Sequence, residues 1–214
     1  AMGTADLEFD PFAAGVYDVR VYINTEYLSW VPLMLATYAV FYCAGIVSRE
    51  AERHTLDLLL TQPLARYKLV LSKVGTFLSI IVALSALSCM GIVIGLALID
   101  ASVDLANLLL AHLLVVILVL AVSGYCTLLS CLYLDPRRSL AVAGGITAGM
   151  YLLNILAPIL NSLRWLENLS LFHHLDTMQV LLLGNINWTG VAIHLLAAAV
   201  TFGLALAVFE RRDL

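Results

Sequence analysis

Five stretches of this chain are apolar almost without interruption: about 28–47, 74–99, 105–134, 139–160 and 188–209. A helix that crosses a hydrocarbon core of about 30 Å needs about 20 mainly apolar residues. Lipid offers no partner to a backbone N–H or C=O, so only helices and closed barrels span it. A barrel strand alternates apolar and polar residues, and these runs do not. They predict an all-α, polytopic bundle of five transmembrane helices. Composition agrees: 62% of residues are hydrophobic and 12% charged, against about half and a quarter in a soluble domain. A net charge of −4 gives no footing for nucleic acid, and the bilayer is the first partner implied.

The basic residues orient the bundle. Arg49, Arg53, Arg66, Lys68 and Lys73 lie between spans one and two, Arg137 and Arg138 between three and four, and Arg211 and Arg212 after span five. If the spans alternate, all of these fall on one side, which the positive-inside bias makes cytoplasmic. The other side keeps Arg20 and Arg164 and collects Asp100, Asp104, Glu167 and Asp176. The expectation is a multi-pass protein of the cell membrane, with an extracytoplasmic segment 1–27, a membrane domain 28–214 and a cytoplasmic C-terminus. Residues 1–27 carry Asp6, Glu8, Asp10, Asp18 and Glu26 and lack the basic start and apolar core of a secretory signal.

The four cysteines, Cys43, Cys89, Cys126 and Cys131, all lie in apolar runs. That placement argues against a disulfide framework or a zinc site and for small buried apolar groups. Gly91 with Gly95 and Gly145 with Gly149 form GxxxG pairs, which suggest close helix contacts. Asn154, Asn161, His112 and His194 lie within or beside spans. Such groups either mark a substrate path or bond a neighbouring helix.

Between the first two spans runs SREAERHTLDLLLTQPLARYKLVLSK, residues 48–73. Its charges exclude it from lipid. Leu56, Leu59 and Leu60 keep helical spacing, and Pro63 lacks an amide donor and turns the chain. The segment reads as a short helix, a turn, and a second helix rising into the bilayer. It is either a surface anchor or a docking element for a soluble partner.

This segment resembles the first cytosolic loop of type-2 ABC transporter permeases. The matching residues are Glu50 and Glu52, then Thr55, Leu56, Asp57, Leu58, Leu59 and Leu60, then Gln62, Pro63, Leu64 and Arg66, then Ser72 and Lys73. Leu169 to His174 is similar to the family's LSPFHY stretch, with Leu171 where proline is usual, and Phe209 to Leu214 resembles its FxRRDI/L ending. Family members generally have six spans; the five found here imply that the first is lacking. The resemblance implies a permease subunit, an exporter, paired with a second permease chain as homo- or heterodimer and with a cytosolic ABC ATPase. It makes 48–73 the coupling helix region. Leu56, Leu59 and Leu60 would fill the ATPase groove, with Thr55 and Asp57 on the same helix. Glu50, Glu52 and Arg53 would orient that helix, and Pro63 and Arg66 would form the turn behind it. ATP and Mg would belong to the partner, since this chain has no GxxxxGK[ST] loop, and the chain itself is expected to be no enzyme.

Residues 161–187 are amphipathic and too interrupted to span. They are expected as an outer helical segment in the interface. His173 and His174 are adjacent, so on a helix they diverge by about 100°, which favours packing over metal binding. Asn168 and Asn187 open glycosylation sequons that read as chance. Two other functions compete. A structural or anchoring subunit needs no transport. An intramembrane hydrolase would have to join Glu50, Glu52 and His54 to His173 and His174 across about 30 Å of membrane. No charged residue lies deep in a span, which favours a lipid or amphiphile as substrate over a metal ion.

Overall fold

The computed structural model describes residues 18–52, 66–159 and 161–211. Among these every regular element is a helix. They are α1 (Val19–Ile23), a π turn (Asn24–Leu28), α2 (Val31–Cys43), α3 (Ser48–Glu52), α4 (Arg66–Leu98), α5 (Leu105–Leu132) and α6 (Pro136–Leu156), then 3₁₀ segments at Asn161–Leu169 and Phe172–His174, α7 (Thr177–Leu183) and α8 (Trp188–Glu210). Five stretches are long and apolar enough to cross a membrane: Val19–Glu52, Tyr67–Leu98, Leu105–Leu132, Pro136–Leu156 and Trp188–Glu210.

The first span is not one helix. It starts nine residues ahead of the apolar run at 28, passes through the π turn, and breaks at 44–47 before α3. Apolarity alone does not register the break at 44–47, because Ala44, Gly45, Ile46 and Val47 remain apolar. The second span is the reverse case. α4 runs unbroken from Arg66 through the basic residues into lipid-facing sequence.

Several helix starts are set by Asp and Asn side chains. Asp104 Oδ1 accepts from Ala106 N at 2.8 Å. Asp135 Oδ1 accepts from Arg137 N at 2.8 Å, with Pro136 in the first turn where its missing donor costs nothing. Asp176 and Asn187 do the same for α7 and α8.

α5 is the hub. Leu118, Val119, Val122 and Cys126 are buried along it, as are the polar side chains of His112, Ser123, Thr127 and Ser130. α2 runs parallel to it: Tyr27 meets His112 near one end, and Val47 meets Ser130 near the other. α8 is parallel too. Gly184, just ahead of it, lies against Asn107, and Thr201 lies against Gly124, where a Cβ would collide with the Thr201 hydroxyl. α4 and α6 run the opposite way. Phe77 of α4 stacks on Tyr42 with centroids 5.2 Å apart, and Tyr125 of α5 shares a hydrogen bond of 2.6 Å with Thr147 of α6. The GxxxG glycines make no close contact with another described helix on their Cβ side: a Cβ at Gly91, Gly95, Gly145 or Gly149 would find open space. Among the described residues, the close approach of α5 to α8 is made instead at Gly124, which no motif marks.

Outward faces are apolar. Leu87, Met90 and Ile94 on α4 and Leu196, Val200 and Leu204 on α8 are exposed, as lipid-facing residues are. Trp30, Trp165 and Trp188 are exposed towards one end, Tyr67 and Tyr133 towards the other, in the manner of interfacial aromatic belts.

Candidate functional site

Most of the described basic residues gather at one end of the bundle. Lys73 Nζ, in the second turn of α4, donates to Glu50 Oε1 on α3 at 2.6 Å. This ion pair is about a quarter exposed on each side, so it is shielded better than an ordinary surface pair. The same ammonium reaches Ile46 O at 3.4 Å. Ala51 and Glu52 face Leu134, Asp135, Pro136 and Arg137 across a cleft of about 480 Å³. Arg138 pairs with Asp135 at 3.4 Å. α8, parallel to α5, brings Arg211 to this end as well. Arg20, beside Asp18, lies at the opposite end.

Of the residues expected to meet a partner, Glu50 and Glu52 are on α3 and Arg66 opens α4. Arg53, Thr55, Leu56, Asp57, Leu59, Leu60 and Pro63 lie outside the described residues. The structure thus shows both stems of the loop, held together by the Lys73–Glu50 pair.

A second feature is a groove of about 330 Å³ between α2 and α6, lined by Leu33, Val40, Phe41 and Leu140 with the hydroxyl-bearing Thr37 and Thr147.

The opposite end is closed by the segment after α6. Ser170 Oγ donates to Met150 O at 2.7 Å. His194, buried on α8, places Nδ1 2.6 Å from Gly190 O and Nε2 3.0 Å from Leu171 O. His112 Nδ1 donates to Leu108 O at 2.8 Å, and its Nε2 accepts from the Tyr27 hydroxyl at 3.2 Å. Both histidines are buried and bond neighbouring elements. His173 lies 3.7 Å from Glu167, and His174 Nε2 donates to Asn168 O at 3.2 Å. Glu50 and His173 are at opposite ends, so the hydrolase constellation is not brought together.

No sequence motif marks Ser130 or Gly124. Asp135-Pro136 could have been read as a helix start from its residue types alone. Ser130 carried no signal, because its partners are backbone amides exposed by a break in another helix.

The model of the ABC-2 family transporter protein matches residues 12–214. No curated protein and no solved structure matches the chain.

Proposed function

The chain belongs to the ABC-2 family of transporter proteins and is a membrane permease component of an ABC transporter. On that premise we propose that it is the exporting subunit, with the 48–73 segment on the cytosolic side as the element that receives its ATPase. One observation carries this reading: α3 and the start of α4 are tied by Lys73–Glu50 at 2.6 Å, at the end where most of the described basic residues gather. A loop that only anchored would need no such tie, whereas one that receives force needs stems that move with the spans. The helix around Thr55–Leu60 then docks on the ATPase through Leu56, Leu59 and Leu60, and flanking charges fix its register. ATP and Mg are handled by that partner, and a second permease chain completes the pathway. The apolar groove between α2 and α6 suits an acyl chain, which supports a lipid or amphiphile as cargo.

The test is co-purification of the ATPase with wild-type and Leu59→Asp chains at equal membrane expression. A carboxylate forced into an apolar contact costs several kcal/mol, unless it protonates or the contact opens. Recovery should fall at least about tenfold. Equal recovery of the ATPase with both chains would make the loop a surface anchor.

A further inference from the structure

At 44–47 the helical ladder of the first span lapses. Gly45 N donates to Tyr42 O at 3.3 Å and Ile46 N to Cys43 O at 3.2 Å, a three-residue pattern. The amides of Val47 and Ser48 are left without helical carbonyls, and Phe41 O and Ala44 O without helical amides. Residues 44–48 are buried, so water does not meet the amides of Val47 and Ser48 or Ala44 O, and unmet buried backbone groups are rare.

Side chains meet all of them. Ser130 Oγ on α5 accepts from Val47 N at 3.0 Å and from Ser48 N at 3.1 Å. It donates in turn to Ser48 Oγ at 3.3 Å, and Ser48 Oγ donates to Ala44 O at 3.0 Å. Arg49 Nη2 donates to Phe41 O at 2.8 Å. Its guanidinium crosses Gly45, where a Cβ would collide with Arg49 Nε. A hydroxyl has one donor and two acceptor positions, and Ser130 uses all three on another element. Thr76, Ser79, Thr127, Thr147 and Thr201 instead donate to carbonyls of their own helices. That back-bonding is the usual arrangement for a hydroxyl inside a helix.

We propose that Ser130 is a positioning residue for coupling: it latches the broken turn 44–47 and α3 to the hub helix α5, so that movement delivered to the loop beginning at α3 is passed to the bundle. Without the latch, a turn of three-residue hydrogen bonds is a hinge that absorbs the movement. This rests on the reading that the 48–73 segment receives the ATPase.

The experiment uses the permease–ATPase complex in lipid nanodiscs and compares Ser130→Val with Ser130→Thr, two side chains of one shape that differ in the hydroxyl. Ser130→Thr should keep both ATPase retention and maximal vanadate-sensitive ATP hydrolysis within about twofold of wild type. Ser130→Val should retain the ATPase equally well but lose about fivefold or more of the permease-dependent hydrolysis. In the permease alone, amide exchange at Val47 and Ser48 should be about tenfold faster in Ser130→Val than in Ser130→Thr. Full stimulation in Ser130→Val overturns the proposal, and so does equal loss in both variants, which marks packing rather than the hydrogen bonds. Equal exchange in the two variants overturns the latch itself. If the wild-type chain retains no ATPase, the coupling reading fails and takes the positioning role with it, while the exchange data still decide whether the latch exists.

Discussion

Asp100 shows how a single position can carry strain. It follows α4 with φ 52°, the left-handed region, and is the only described non-glycine residue with positive φ. Ala101 N reaches back to Leu96 O at 3.0 Å, the six-to-one bond of a Schellman ending, whose left-handed position is usually glycine. A Cβ there costs about 1–2 kcal/mol, and the Asp side chain recovers part of it. Asp100→Gly is therefore expected to stabilise the chain by about 0.5–1 kcal/mol. The check is the thermal unfolding midpoint in detergent; a lower midpoint would mean that the carboxylate makes a contact worth more than the strain. From the sequence, Asp100 is legible only as one of the acids on the side opposite the basic loops. Its conformation follows from where α4 ends, which apolarity does not locate to the residue.

Packing between helices turns on a different glycine from those the sequence advertises. GxxxG spacing drew attention to Gly91, Gly95, Gly145 and Gly149, yet these have open space over them. Gly124 instead lets α5 and α8 close, with Thr201 Oγ1 and Ala198 O over its missing Cβ. The Thr201 hydroxyl is held by Ala197 O at 2.7 Å, so it does not give way freely. Gly124→Ala is expected to destabilise by about 1–3 kcal/mol through overpacking. Adding Thr201→Ala should return most of that loss, a coupling that a double-mutant cycle measures. Additive effects of the two changes would place the strain elsewhere. The five spans themselves could be read from the sequence because lipid demands long apolar helices whatever their neighbours are. The breaks in the first span, the Gly124 contact and the Ser130 latch could not, since each depends on which faces meet after folding. The loop resemblance pointed to the stems at Glu50 and Lys73 but held no information on their pairing.

Orientation belongs to the assembled bundle, because it depends on where all the loops end up together. α2, α5 and α8 are parallel and α4 and α6 antiparallel, so Arg49, Lys73, Arg137, Arg138 and Arg211 share one end while Ser102 and the segment around Asn168 share the other. Translocating several arginines is strongly disfavoured, and they bias their end to the cytoplasm. Single cysteines at Ser102 and at Arg138, both exposed positions, report on the two faces. The four native cysteines are free and buried, so the unmodified chain supplies a nearly silent background for an impermeant thiol reagent. In intact cells the cysteine at position 102 is expected to label and the one at 138 to label only after permeabilisation. Labelling of 138 before permeabilisation with 102 protected would invert the protein. It would also move the loop after α3 away from any cytosolic ATPase, so this measurement bears on the proposed coupling as much as on the topology.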